Sequence, residues 1–202
     1  MKLNLMCAAA VVLFGTSACD GGPIRERNEW CSIRIENAIK KRLPRVLIIG
    51  DSIVASYFPH ISTALDDTAF CTEFATSASV CDPAFYRQLA LVIDEYDYAV
   101  IHVNNGLHGW GYTDDRYEQG VREVLETLQR EEPDAIIIWG QTTPLRGEAD
   151  FISHEPDDRR VQARNTRAAK VARSMGIPVN DLHGCLAGEE GTHKKDHIHL
   201  RE

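Results

Sequence analysis

The chain has no long run of lysine and arginine, and its 22 basic residues are outnumbered by 30 acidic ones, for a formal net charge of −8. That balance argues against nucleic acid or an anionic membrane surface as the main partner. Beyond the N-terminus no apolar run reaches the roughly 18–20 residues that span a bilayer, so no transmembrane domain is expected. There is no CxxC, no paired zinc spacing and no HExxH, which removes the usual cysteine–zinc and zincin signatures. The run RVLIIGDS lacks G-x-G-x-x-G, and no acid clearly ends the second strand, so a dinucleotide-binding domain is a poor fit. No internal repeat and no dividing linker interrupts the 202 residues. Their 44% hydrophobic, 26% charged and 7% aromatic content is that of one ordinary globular domain with a substantial core.

The N-terminus differs in kind. MKLNLMCAAAVVLFGTSACDGG opens with a lysine, continues as an apolar stretch and ends in small residues before Cys19, the layout of a secretion signal. TSAC resembles a bacterial lipoprotein cleavage site, with Cys19 as the lipidated first residue; Thr16 stands where leucine is usual, and ordinary cleavage after Ala18 is the alternative. The expected division is a signal peptide at 1–18, an exported segment or linker at 19–29, and one domain at 30–202. The expected location is the bacterial periplasm or cell envelope, with membrane attachment through Cys19. Past Cys19 the cysteines are Cys31, Cys71, Cys81 and Cys185, an even number that suits an oxidising compartment. Cys71 and Cys81 could form a local bridge or remain buried thiols.

Strand and helix signals alternate along the chain. An amphipathic, helix-like stretch from Trp30 to Leu43 is stopped by Pro44. A strand follows at 45–49, a helix from about Val54 to Leu65, a weaker strand from Ala69 to Ala75, and a helix opened by Asp82-Pro83. AVIHV at 99–103 reads as a buried strand. Thr113 or Asp114 caps the next helix, where Tyr117, Val121, Leu125 and Leu128 share a face. AIIIW at 135–139 is another strand, followed by a polar loop, a helix from about Asp158 to Met175 closed by Gly176, and IPVND. Ile- and Val-rich strands between helices of ten or more residues predict an α/β fold: a three-layer α/β/α sandwich around a mainly parallel, flavodoxin-like sheet.

Ligands of such sheets gather beyond the carboxyl ends of the strands, and three segments lie there. GDSI places Ser52 at a helix mouth, where free N–H groups and the positive end of the dipole favour developing negative charge. VNNGLHGWG brings Asn104, Asn105, Gly106 and His108 to one turn, with side-chain amides able to donate to an oxyanion. DHIHL sets Asp196 three residues before His199, close enough for the carboxylate to orient the imidazole. Singly, each is as well explained by a turn or a cap. Together they supply nucleophile, base, orienting acid and oxyanion donor, the set that acyl transfer needs.

GDSI, ATSASVCDP, VNNGLHG and DHIH, in this order, resemble the sequence blocks of the SGNH/GDSL hydrolases over roughly residues 28–200. The third block is similar to an H-x-N-x-G-L-H branch through His102, Asn104, Gly106, Leu107 and His108. The resemblance implies a hydrolase of esters, with short acyl or acetyl groups favoured, and with small-molecule or carbohydrate esters as substrates. It implies Ser52 as nucleophile, His199 as base and Asp196 as its partner, and no cofactor or metal. The oxyanion donors it implies are the Ser52 N–H, an amide of the second block and the Asn104 side chain, with Asn105 and His108 as competitors. Ala78 and Ser79 stand where many members have glycine. The chain stops three residues after His199, whereas the family usually continues into another helix.

Two other readings carry weight at this level. His183, His193, Asp196, His197 and His199 could form a zinc site for metal-assisted hydrolysis. Alternatively, the fold could serve as a lipid-anchored, non-catalytic carbohydrate-binding module, with His108, Trp110 and Tyr112 either stacking on a sugar or packing the loop.

Overall fold

The computed structural model describes residues 22–40, 42–145, 158–187 and 199. Six strands form one sheet: β1 (Cys31–Ile35), β2 (Arg45–Gly50), β3 (Phe70–Thr76), β4 (Val100–Val103), β5 (Ile136–Gly140) and β6 (Val179–Asn180), in the spatial order β1-β3-β2-β4-β5-β6. All pairings are parallel except β1 with β3. The helices are α1 (Ser52–Leu65), α2 (Pro83–Ile93), α3 (Asp114–Glu131), α4 (Asp158–Ser174) and α5 (Leu182–Ala187).

Strand alternation sorts the side chains into two cores. Leu47, Ile49, Ile101, Val103, Ile137 and Trp139 face α2, α3 and α4, where Leu89, Val121, Leu125 and Ala168 complete the larger one. Val46, Ile48 and Cys71 turn to the opposite face and meet Val54 and Phe58 of α1. Helices therefore cover both faces of a mostly parallel sheet, as the run of Ile- and Val-rich strands predicts. The five parallel strands wind outward from β2 in both directions, and the order reverses between β2 and β4. That reversal opens a crevice at their carboxyl ends, directly ahead of Ser52 and Asn104.

One expectation is corrected, and one pair of alternatives is decided. The stretch from Trp30 to Leu43 is not a helix: Cys31–Ile35 is an extended edge strand, antiparallel to β3. Without it, β3 would leave a row of N–H and C=O groups unpaired. Its period of two is anchored by Arg34 opposite Glu73, an ion pair at 3.8 Å, and by Ser32 Oγ donating to Glu73 Oε1 at 3.1 Å. Cys71 and Cys81 are not bridged. Cys31, Cys71, Cys81 and Cys185 are all free thiols, with Cys71 in the core under α1 and Cys81 in the core on the other face of the sheet.

The smaller core is what fixes α1, and with it the helix mouth, against the sheet. Phe58 is its largest fully buried side chain. Phe58→Ala removes the ring and leaves a cavity, a change worth about 3–5 kcal/mol. Urea unfolding is expected to show a loss of that size, and a loss under 1 kcal/mol would mean that α1 is held by other means.

Candidate active site

β2 ends at Gly50, and the chain turns at once into α1. Asp51 is the N-cap, extended in backbone conformation, and its Oδ1 accepts the Ile53 N–H at 2.9 Å. Ser52 is thus the first helical residue, among the first-turn amides that have no partner within the helix. The Nε2 of His199 lies 2.8 Å from the Ser52 Oγ, within hydrogen-bonding reach across 147 positions of sequence. Cys19, Asp196, His193 and His197 lie outside the described residues.

Asp51 is wholly buried, and its Oδ2 has no hydrogen-bond partner among the described residues. Burial pushes its carboxyl above the ordinary aspartate range, against the opposing pull of His108, the Ile53 N–H and His199. A charge at Asp51 therefore acts on both His108 and His199.

The loop after β4 carries the other expected site residues, and the structure separates their roles. Asn104 Nδ2 donates to the Gly140 carbonyl at 2.8 Å and to the Thr142 Oγ1 at 3.3 Å, so one amide hydrogen is firmly anchored and the other is weakly held. Asn105 turns inward and is fully buried. Its Oδ1 accepts the Val80 N–H at 3.1 Å and its Nδ2 donates to the Ala78 carbonyl at 3.0 Å. Asn105 thereby clamps the second block to the third. Gly106 brings the loop so close to Thr142 that a Cβ there would overlap its hydroxyl. Gly109, at φ +69°, lets the chain turn back over Ser79.

His108 is buried except for a side-chain exposure of 18%, and its Nδ1 lies 3.6 Å from the Glu26 Oε1. Burial opposes a charge on the imidazole, but Glu26 and Asp51 outweigh it and raise the group above the usual histidine range. Trp110 is committed to packing: its Nε1 donates to the Leu107 carbonyl at 2.6 Å, and the guanidinium carbons of Arg160 and Arg164 lie 4.8 and 3.9 Å from its ring centre. The Tyr112 hydroxyl accepts the Ile24 N–H at 2.9 Å. These two rings pack the loop.

Of the histidines expected in a metal set, His183 Nε2 lies 3.2 Å from Asp158 Oδ1, whereas His199 faces Ser52. His102, in β4, is half-buried. Its Nε2 lies 3.3 Å from Asn180 Nδ2, and burial pushes the imidazole down, favouring the neutral ring. In the second block Ser77, Ala78 and Val80 spend their amides within the protein, on Trp30, Thr76 and Asn105. Among the described residues the Cys81 N–H donates to the Ser79 hydroxyl alone, at 3.2 Å.

Two residues that the sequence reading passed over organise this end of the sheet. Arg164, fully buried on α4, donates to the carbonyls of Gly106, His108 and Gly109 at 3.3, 2.8 and 2.8 Å. Asn165 beside it accepts the Thr142 N–H at 2.8 Å and donates to the Thr142 carbonyl at 2.9 Å. A signal for both was present: they occupy core positions of an amphipathic helix, between Val161 and Ala168, where a polar residue must find partners inside.

The buried carboxyl at the helix mouth has a measurable consequence. Because the folded state holds the Asp51 proton more tightly than the unfolded chain does, this group costs stability as pH rises from the ordinary aspartate value toward its raised one. Asp51→Asn keeps an oxygen for the Ile53 N–H and removes the charge. It is expected to unfold at higher urea than the wild type at pH 7, with the gap closing below about pH 4. An equal or lower midpoint at pH 7 would contradict this.

No protein-family model and no curated protein matches the chain. Solved structures do. A GDSL-like lipase from Bacteroides thetaiotaomicron is 14% identical, with 78% of this chain and 80% of that one covered and a TM-score of 0.60. An acetyl xylan esterase is 16% identical over 78% of this chain and 91% of its own, at a TM-score of 0.61. A lipase/acylhydrolase from Enterococcus faecalis is 14% identical over 79% and 88%, also at 0.61. The chain has the fold of the SGNH/GDSL hydrolases, as its sequence blocks led one to expect.

Proposed function

We propose that the protein is a serine-dependent ester hydrolase that works through an acyl-enzyme on Ser52. The observation that carries this reading is the 2.8 Å approach of His199 Nε2 to Ser52 Oγ, at the crevice where the strand order reverses. A helix cap needs no imidazole, whereas a nucleophile needs a base at this distance. Neighbours in fold that are named lipase, acylhydrolase and acetyl xylan esterase support the ester bond as the target.

In the proposed reaction, neutral His199 takes the Ser52 hydroxyl proton as Oγ bonds to the ester carbonyl carbon. The resulting oxyanion is met by the Ser52 N–H and by the Asn104 amide hydrogen now held weakly by Thr142. The tetrahedral species collapses as the C–O bond to the alcohol breaks, and His199 returns the proton to that alcohol. Water then adds to the acyl carbon, giving its proton to His199, and the carboxylic acid leaves as Ser52 regains its hydrogen. Asp196, three residues from His199, is proposed as the acid that orients the imidazole.

Short acyl esters are the proposed substrates, with acetyl groups on carbohydrates as the specific class, a reading that the acetyl xylan esterase neighbour supports. Export and lipidation at Cys19 are proposed on the TSAC sequence, which would hold the domain at the cell envelope.

Ser52→Ala removes the nucleophile while leaving the Asp51 cap in place. Its rate of p-nitrophenyl acetate cleavage is expected to fall by about a thousandfold or more, with unchanged circular dichroism. Wild-type activity in this variant sinks the assignment.

A further inference from the structure

The segment ahead of the first strand is tied to the domain over its described residues. Residues 22–30 run across the second and third blocks and bind both. The Trp30 N–H donates to Ser77 Oγ at 2.8 Å, and the Trp30 carbonyl accepts the Ser77 N–H at 3.1 Å. Further out, Ile24 is tied to Tyr112. Between these anchors the Glu26 Oε1 accepts the Gly109 N–H at 2.7 Å and faces His108 Nδ1 at 3.6 Å. The Trp30 ring stands edge-on to the same imidazole, with centroids 6.5 Å apart and planes at 78°.

Resting on the ester-hydrolase reading, we propose that Glu26 is a positioning residue of the active site, which holds His108 as an imidazolium facing the substrate. Four observations meet in this assignment. The backbone bond to Gly109 fixes the Glu26 carboxylate, so its place does not depend on the imidazole. His108 is enclosed by Glu26 from the N-terminal segment, by Trp30 and by the Asp51 charge at the helix mouth. Arg164 approaches from α4, yet its Nη1 and Nη2 donate to the loop carbonyls, including that of His108 itself. Finally, Nδ1 is turned to Glu26, and among the described residues Nε2 has no hydrogen-bond partner, which makes it a donor when the ring is charged.

The groups that face His108 are therefore two carboxylates, Glu26 and Asp51, with Arg164 as the opposing cation; Asp51 also feels His199. Each carboxylate favours the protonated imidazole. On the loop that carries Asn104, a fixed cationic donor would lower the energy of a transition state that develops an oxyanion more than that of the neutral ester. The two histidines then serve opposite tasks: His199 takes a proton from the serine, and His108, favoured in its protonated form by Glu26 and Asp51, stabilises or binds negative charge.

Glu26→Gln separates a positioning role from a structural one, because the amide oxygen can still accept the Gly109 N–H while the charge is gone. With Nδ1 no longer facing a carboxylate, the His108 pKa falls, and the alkaline limb of kcat/KM moves toward acid. The shift is expected to be about one pH unit, the size typical of losing one nearby opposite charge. At pH 8 the variant is expected to cleave p-nitrophenyl acetate about tenfold more slowly, with an unchanged unfolding midpoint, and Glu26→Asp is expected to restore part of the rate. Nuclear magnetic resonance titration of His108 in the Ser52→Ala background reads the same pKa change without any turnover. A profile and a His108 titration that Glu26→Gln leaves unmoved overturn the assignment, even if the wild type reacts with a fluorophosphonate at Ser52. Failure of the wild type to react at Ser52 overturns the ester-hydrolase reading, and the catalytic role of Glu26 with it.

Discussion

A buried cation without a carboxylate organises the upper end of the sheet. Arg164 is wholly buried, and among the described residues no acid lies within ion-pair distance of it. Its cost of desolvation is offset by three loop carbonyls and by the faces of Trp110 and Tyr117, at 3.9 and 4.6 Å from the guanidinium carbon. A planar fork of fixed donors suits that task, and a lysine ammonium could not serve three divergent carbonyls and two rings at once. The loop that carries Asn104 to His108 thus has its path set from α4, a helix distant in sequence.

From that constraint the rest of the site follows in order. The fixed loop presents Asn105 inward, where its amide bridges the second block, and presents Asn104 toward Gly140 and Thr142. Asn165, next to Arg164, clasps Thr142 at both its N–H and its carbonyl. Loops after β3, β4 and β5 are in this way bolted together by buried side-chain amides and one guanidinium. Such groups are costly when unpaired and stiff when satisfied. The Ser52 helix is fixed separately, by the Asp51 cap and the Phe58 core, so nucleophile and oxyanion donors rest on two independent supports.

Much of this was legible in the sequence, and the reasons differ by residue. The parallel strands were visible because residues buried on both faces form unbroken apolar runs, each ended by a turn residue such as Gly50 or Asn104. The Thr113 cap and the closing Gly176, at φ +73°, were readable as local chemistry. The edge strand Cys31–Ile35 was not, because a half-exposed strand of five residues offers too short a period to oppose a helix reading. Asn105 looked like a binding residue since its amide is adjacent to Asn104, and only the fold shows that the two point to different partners. Glu26 carried no signal at all: a glutamate in a polar stretch acquires meaning only when Gly109 and His108 are brought to it.

The account stands or falls on covalent chemistry at one oxygen. Quenching the protein with acid during turnover of p-nitrophenyl acetate and mapping the peptides by mass spectrometry tests it most directly. The expected result is a single acetyl group on Ser52, present in the wild type and absent from Ser52→Ala. Sustained turnover with no acylated Ser52, or with the acetyl group on another residue, would contradict the proposed mechanism.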